Sequence, residues 1–518
     1  MLLAHYSMDF LLVMPYPVRR AILANPLKNA LAYCLKFIFI VIFYINSVMA
    51  AEIELSKSEF KLQPEISRSS ASEDDLLAFP NATGYGRFAS GGRGGQVVIV
   101  DTLKDVVDEH DSQVSIREAF EVIKGPRTIT FAVGGVFDMG ISQLVLNGEQ
   151  GSDVTIACQT APAPGVVIKG AGLRITNGAR NIIMRHCRIR NVDPGSPVSE
   201  ASRAIGVIGT TRPVHNMIFD HMSLSWATDE NFTVFSGSSA NSHSTNFTLS
   251  NSIIAEGDAD SSHPESGQLP GRYMHSMGPS CNSNSKKYRI NGCSILSNLI
   301  AHNARRNPLL VASSGEVLNN VIYNWHEIGT HAWPWHNELD IVVKNNEFKT
   351  GPSTRVNKPV LQISGDPNTT RYVQESNWLN LHTEPGVRKI EDYWQGVTTI
   401  KPSYSEAVQL ECVGASVPSR DVIDQRIIGE YLSSSGSVGI GGDHIRDYTG
   451  YWSSSHESNY DTDKDGMADF WETQNGLNPE DRSDHSLVLN SDGYTNLENF
   501  INEIAECNSP HQDRSANR

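Results

Sequence analysis

Six short segments of the chain superpose when their polar residues are aligned: NIIMRHCRIR (181–190), NMIFDHMSLS (216–225), NFTLSNSIIA (246–255), SILSNLIAHN (294–303), EVLNNVIYNW (316–325) and DIVVKNNEFK (340–349). Each reads as a short apolar strand, a polar corner (His186, His221, Asn251, Asn298, Asn320 or Asn346) and a second short strand. The corners recur at intervals of 22 to 47 residues. A shortest repeat with variable excess is what a solenoid gives when loops are inserted on one side of its coils. A β-propeller repeats more evenly and pairs its strands antiparallel, so the pattern predicts an all-β, single-stranded solenoid. Equivalent strands of successive coils then bond in parallel about 4.8 Å apart, and a corner asparagine bonds to those above and below. His186 and His221 occupy the same corner and are expected to stack there as structural residues.

At 518 residues, 39% apolar and 19% charged, the chain suits one large globular domain with a smaller one beside it. Its formal charge is −16, and residues 1–50 carry four basic residues against one acidic, so the remainder is more acidic still. Such a body excludes non-specific binding to nucleic acid or to anionic membranes; a polyanionic partner needs a local patch of cations. LKFIFIVIFYINSVMA (35–50) follows basic residues and ends on small ones, which predicts an export signal cut near Ala50. Its apolar run falls short of the roughly 20 residues that span a bilayer. The expectation is a secreted monomer with no stable membrane insertion after signal removal. Six cysteines remain beyond residue 50, and Cys281 and Cys293, which close a polar loop, are the expected disulfide. The predicted organisation is a signal at 1–50, a linker at 51–77, the solenoid at 78–432, a linker at 433–460, a calcium module at 461–507 and a tail at 508–518. Within 415–432, the spacing of Val422, Ile423, Ile427 and Ile428 predicts a helix.

DTDKDGMADFWE (461–472) matches the EF-hand loop pattern at every defined position. Asp461, Asp463 and Asp465 supply carboxylate oxygens in that pattern, Gly466 allows the turn, and the Met467 carbonyl is the next ligand. Asp469 acts directly or through water, and Glu472 closes the sphere around Ca2+. NSDGYTNLEN (490–499) offers Asn490, Asp492, Asn496 and Glu498 as a second half-site. The spacer between them resembles thrombospondin type 3 and dockerin-like modules.

Further stretches carry a family resemblance: AFPNATGYGRFASGGRGG (78–95), SIREAF (115–120), GPRTITFAVGG (125–135), IFDHMSLSWATDENFTVF (218–235), HSMG (275–278), and RRNP (305–308) followed by VLNNVIYNW. Jointly they resemble the family 1 polysaccharide lyases, the pectate lyases, and especially secreted members carrying an EF-hand. The resemblance implies a right-handed parallel β-helix that cleaves polygalacturonate by β-elimination, a base taking the C5 proton while the C4 glycosidic oxygen leaves. On that pattern Arg306 falls on the base, Arg305 contacts a substrate carboxylate, Asp229 is a ligand of the catalytic calcium, and His275 lines the groove with Lys286 or Lys287. A guanidinium normally keeps its proton up to a pKa above about 12, so neighbouring positive charge from Arg305 or calcium is expected to assist its loss. Asp220 is expected to serve its own coil. Arg185, Arg188 and Arg190 lie on alternating faces, so only some can meet substrate. Arg203 stands where the relatives carry an aspartate; a guanidinium there can replace calcium by binding the substrate carboxylate itself. The alternatives are a lyase for methylated pectin or another uronate polymer, a non-catalytic carbohydrate-binding solenoid, and a glycoside hydrolase. The last requires two separated carboxylates, whereas Asp229 and Glu230 are adjacent and expected to face opposite ways.

Overall fold

The alternation of short apolar runs and polar corners resolves into three long sheets. The computed structural model describes residues 76–507 except 109–111, 194–201, 238–242, 266–273, 284–288, 333–338, 356–357, 364–369, 376–380, 384–387, 390–407, 440–447 and 449. The export signal, Lys286, Lys287 and the tail lie outside the described residues. Eleven strands, from Gln96–Val100 to Arg388–Lys389, form one sheet, and two further sheets have nine strands each. Through the body of each sheet neighbours are three strands apart in sequence, so each central coil gives one strand to each sheet. The ladders are parallel, apart from Ser454–Ser455, which pairs antiparallel with Val133–Asp138. This is the expected all-β parallel β-helix, with its core inside the coils.

Strict register makes the core a set of stacked columns. Phe219 lies between Met184 and Leu249 on the adjacent coils, and its ring meets Phe232 edge-on at 5.3 Å across the interior. The corners follow the same rule with one correction. The residues in the left-handed region are His186, His221, Asn251, Ser297, Asn319 and Asn345, with φ between 49° and 59°. In the last three coils the turn therefore falls one residue before the asparagine expected to make it. Short polar residues tolerate the left-handed conformation because they bond locally. The asparagine that follows turns inward instead: the Asn298 amide donates to Asn320 Oδ1 at 3.0 Å and Asn320 to Asn346 Oδ1 at 2.9 Å. The rings of His186 and His221 stack at 4.7 Å, as expected. A second ladder, absent from the sequence reading, marks the entrance to the eleven-stranded sheet. Asn246 donates to Asn216 at 2.8 Å, Asn216 to Asn181 at 3.3 Å, and Asn181 to Asp153 at 2.8 Å.

Outer elements complete the wall. The expected helix forms at Val422–Ser433, capped by Asp421, which accepts from the Asp424 amide. Ile423 and Ile427 bury against Trp226, Leu299, Val321 and Tyr323 with Ile428 packed beside them, while Val422 faces solvent. Arg190 bonds Asp421 and Asp424 at 2.9 and 2.8 Å, and Arg188 reaches Asp421 at 3.3 Å, so these two arginines hold the helix cap. Arg185 pairs with Asp220 at 3.2 Å. None of the three is committed to a substrate, because all of them lie on the two sheets away from the site described below. Asp220 serves its coil as expected, bonding His221, Ser250 and Asn251. Within the stretch read as a linker at 433–460, Tyr448 and Tyr451 pack beside the helix. The C-terminal helices Asp469–Asn475 and Asn496–Ile504 sit on the eleven-stranded sheet, with Met467, Trp471, Leu497 and Phe500 against Val97 and Ala157. Cys281–Cys293 is bridged as expected; Cys158–Cys187 joins successive coils and Cys412–Cys507 fastens the C-terminal segment.

Neighbouring asparagines thus do different work, and substitution separates them. Asn320→Ala removes bonds to Asn298 and Asn346 and leaves buried donors unpaired, for an expected loss of about 2–4 kcal/mol in urea unfolding. Asn319→Gly, at a left-handed corner, should stay within about 1 kcal/mol of the parent.

Candidate active site

The site-bearing sheet is the nine-stranded one running from Leu144–Asn147 to Leu381–Thr383. Its register stacks Ile205 on Phe232 and Glu230 on Met277, a bridge joins Met277 to Arg305, and Leu309 pairs with His331. Arg203, Glu230, Met277, Arg305 and Glu327 therefore enter one column on successive coils, brought into line by register alone.

Arg203 and Arg306 close on Asp229 and Glu230 from two sides. Arg203 Nε donates to Glu230 Oε2 at 2.8 Å and its Nη2 donates to Asp229 Oδ2. Arg306 Nη1 donates to Glu230 Oε1 and lies 3.6 Å from Asp229 Oδ1. The carboxylates are buried, at 6% and 3% exposure, while the guanidinium side chains keep 23% and 25%. The two acids converge, contrary to the expectation from strand alternation, because Asp229 belongs to the bend preceding the strand Glu230–Ser236. Burial and the neighbouring Glu230 push the Asp229 carboxyl well above its ordinary range. Burial alone would raise Glu230 too, but Arg306 and Arg203 outweigh it and hold that carboxyl at about 2. Arg203 and Arg306 thus bracket two adjacent buried acids in an otherwise acidic protein.

Arg306 reaches this position from a left-handed backbone, φ 59°, a conformation that carries strain for a long side chain and clusters at functional sites. Asparagines hold the backbone beneath it. Asn303 Oδ1 accepts from the Asn231 amide at 3.1 Å and from Gly257 N at 2.9 Å, and the Asn307 amide donates to Asn303 O at 3.2 Å. Asn307, the third residue of RRNP, is thus a scaffold residue. Arg305 turns instead to Glu327, 3.5 Å away, on the next coil.

His275 does not line an open groove. It is 2% exposed, with Nδ1 on the Thr228 carbonyl at 3.0 Å and Nε2 3.8 Å from Asp229 Oδ1. The His263 ring stacks on it at 3.6 Å. Burial and His263 lower His275 to about 4, so it supports Asp229 as a neutral imidazole. His263 and Glu327 were missed in the sequence, where nothing but distant register connects them to the site.

The residues around Asp229 do not fit the calcium expected there. Arg203 already takes one oxygen from each carboxylate. The remaining donor set, Asp229 with His263 and His275, is rich in imidazole, whereas calcium takes oxygen ligands. The C-terminal loop differs. Donor atoms of Asp461, Asp463 and Asp465 lie within 4.8 Å of one another, as do those of Asp465, Glu472 and Asp484. Both oxygens of Asp463 and of Glu472, and Asp465 Oδ2, are buried without a hydrogen-bond partner. Burial and neighbouring carboxylates push Asp463 to about 6 and Asp465 and Glu472 to about 8. The loop therefore fits a hard cation. In the half-site at 490–499, Glu498 is engaged by Thr495 and Arg93, Asp492 Oδ1 accepts from Tyr494 N, and the Asn496 amide nitrogen donates to Asp484 O.

Among curated proteins, the probable pectate lyase C of Aspergillus flavus is 31% identical over 457 residues, covering 83% of this chain and 94% of its own length. That of Emericella nidulans is 32% identical over 451 residues, covering 83% and 93%. This chain belongs to the pectate lyases. No family model matches the chain. Among solved structures, this lyase aligns with jun a 1, the major allergen from cedar pollen, at 17% identity and a TM-score of 0.40 over 69% of this chain and 93% of the other. A pectate lyase of Bacillus sp. N165 in complex with trigalacturonate aligns at 15% identity and a TM-score of 0.37 over 70% and 100%.

The ion-paired quartet also contributes to stability. Arg203→Ala leaves two buried carboxylates facing one guanidinium, an expected cost of about 3–5 kcal/mol in thermal or urea unfolding. Arg203→Lys should recover only part of it, since an ammonium lacks the planar fork that serves two carboxylates at once.

Proposed function

We propose that the protein is a secreted lyase that cleaves polygalacturonate by β-elimination, releasing unsaturated oligogalacturonides. Arg306 is the base, Arg203 the group that receives the uronate carboxylate, and Arg305 a second contact for the polymer. The convergence of Arg203 and Arg306 on Glu230 carries the reading: two cations from different coils, a third of their surface or less exposed, close on one buried acid whose place a substrate carboxylate can take. An acidic chain has few other ways to hold a polyanion.

In the reaction, the substrate carboxylate displaces Glu230 from one or both guanidinium groups and accepts their hydrogen bonds. That contact offsets the charge that develops as the C5–H bond breaks, because fixed donors in a partly buried site stabilise it without reorganising. A neutral Arg306 Nη takes the C5 proton, the C5 electron pair forms the C4=C5 double bond, and the C4–O bond breaks with its pair on the leaving oxygen. The neutral guanidine is the scarce species, so the rate should rise with pH through the alkaline range. One guanidinium, Arg203, bonds an oxygen of both Asp229 and Glu230, which draws the two acids together, whereas hydrolysis of a glycoside requires a gap of roughly 5–9.5 Å for substrate and water. The favoured reading is therefore a lyase. Arg203 bearing directly on the carboxylate also admits methylated pectin or another uronate polymer as a second substrate.

Calcium enters this proposal at the C-terminal loop alone, where Asp461, Asp463, Asp465 and Glu472 would hold it as a structural ion. Secretion is supported by the three disulfides, which persist in oxidising compartments. No helix of the described residues is long and apolar enough to cross a membrane.

The test incubates wild type and Arg306→Ala with polygalacturonate and with methylated pectin, with and without chelator, and follows ultraviolet absorbance of unsaturated ends. Wild type should produce them and Arg306→Ala should lose at least about a hundredfold in rate, the lower range for loss of a general base. Chelator added at a temperature well below unfolding should leave the rate unchanged. Equal rates for wild type and Arg306→Ala would show that another group is the base.

A further inference from the structure

Five carboxylates of the C-terminal segment form two close groups that share Asp465, and the sequence pattern names only four of them. Asp465 belongs to both close groups, one with Asp461 and Asp463, the other with Glu472 and Asp484. Asp484 lies outside the twelve-residue loop, in the short turn Asp484–Ser486. The pattern instead assigns the remaining ligand to Asp469. In the structure, both Asp469 oxygens are engaged by Thr462: Oδ1 accepts from the Thr462 amide at 2.8 Å and Oδ2 from its hydroxyl at 2.5 Å.

We propose that Asp484 is the closing ligand of a calcium site whose other side chains are Asp461, Asp463, Asp465 and Glu472, and that Asp469 is the latch that shapes the loop. This rests on the calcium reading given above. Asp465 and Glu472 are fully buried and Asp484 is 6% exposed. Besides the oxygens already described, Asp484 Oδ1 is buried and has no hydrogen-bond partner. The other Asp484 oxygen accepts from Asn478 N at 3.1 Å, and the Asp484 carbonyl accepts from the Asn496 amide at 2.8 Å. These bonds fix the turn that brings an Asp484 carboxylate oxygen within 4.8 Å of donor atoms of Glu472 and Asp465. Among the described residues no lysine or arginine pairs with Asp463, Asp465, Glu472 or Asp484. Carboxylates withdrawn from water at such proximity demand a cation. The donors are all oxygen, numerous and anionic, which suits calcium with its six to eight oxygen ligands better than magnesium, which retains water in an octahedron.

The consequence is a staple. Asp461 to Glu472 comprise the loop and the start of one helix, whereas Asp484 precedes the helix Asn496–Ile504, which packs on the eleven-stranded sheet. One ion joining them closes the segment across the turn Gly476–Ser483. Asp469, by contrast, can be neutralised without removing a ligand, because an amide oxygen still accepts from Thr462.

The experiment uses the full-length protein stripped with chelator, and follows calcium binding by calorimetry and by thermal unfolding for wild type, Asp484→Asn and Asp469→Asn. Wild type should gain thermal stability with calcium. Asp484→Asn should lose at least about tenfold in affinity, the loss expected even for a residue that merely supports a ligand. Its chelated form should melt at the wild-type temperature or above, because one repelling charge is gone; a purely structural role for Asp484 predicts a lower melting temperature instead. Asp469→Asn should bind calcium more tightly than Asp484→Asn. Should Asp484→Asn fail to fold, Asp484→Glu keeps the charge, shifts the oxygens by one methylene and is expected to weaken binding by a similar factor. Terbium is the second probe, since Trp471 adjoins Glu472 and can sensitise its emission; calcium should quench that emission by displacement in wild type at lower concentration than in the variant. A wild-type protein with no calcium response defeats the calcium reading itself. A response retained in Asp484→Asn and abolished in Asp469→Asn overturns the assignment of Asp484 alone.

Discussion

Parallel register between coils is the constraint on which the rest of the structure depends. Each strand bonds to the strand one coil earlier and one coil later, so a residue's neighbours are fixed by its place in the coil and not by its place in the chain. Met217 sits on Ile182 and under Phe247 because three coils agree in phase. A slip of one residue would send every side chain of that strand to the opposite face. The inner asparagine ladder at Asn298, Asn320 and Asn346 resists such a slip, since its amides bond only when the coils are in phase. Hydrophobic stacking supplies the driving force and the ladder supplies the phase.

The same register assembles the site without any local motif. Arg203, Glu230, Arg305 and Glu327 occupy equivalent places on different coils, as two acid–base pairs of neighbouring coils with Met277 between them. An isolated buried carboxylate would take a proton, and an isolated buried guanidinium would cost several kcal/mol. Pairing lets each cation answer an acid on the neighbouring coil. The arginines hold Glu230 anionic more firmly than Asp229, whose carboxyl is pushed upward by burial and by Glu230.

Much of this was legible in the sequence. The repeat of strand, polar corner and strand predicted the solenoid, and the apolar spacing at Ile423 and Ile427 predicted the helix. RRNP placed Arg306 at the site through resemblance to a family, with no account of what it would touch. The departures share one cause: sequence periodicity assigns a residue to a face only while the strand is regular. Asn298 was read as the corner because both Ser297 and Asn298 are short and polar, and only backbone geometry distinguishes the residue that turns from the one that points inward. Asp229 was placed opposite Glu230 because alternation was extended one residue beyond the strand. Arg188 and Arg190, spaced two apart, do share a face; what could not be read is that Asp421, more than two hundred residues later, covers it.

The two cation questions in this chain have opposite answers for a single electrostatic reason. Around Asp229, arginine supplies the positive charge from within the protein, in a cleft where a substrate carboxylate can compete for it. At the C-terminal loop, among the described residues, no basic side chain pairs with the buried acids, so a cation from solution is the proposed source of neutrality. A guanidinium can exchange partners during a reaction without leaving, whereas an ion enclosed by Asp463, Asp465 and Glu472 is useful only while it stays. The proposed reactive site therefore carries its cations on flexible side chains, whereas the segment that fastens helices to the coil offers fixed, buried oxygens that suit a divalent ion.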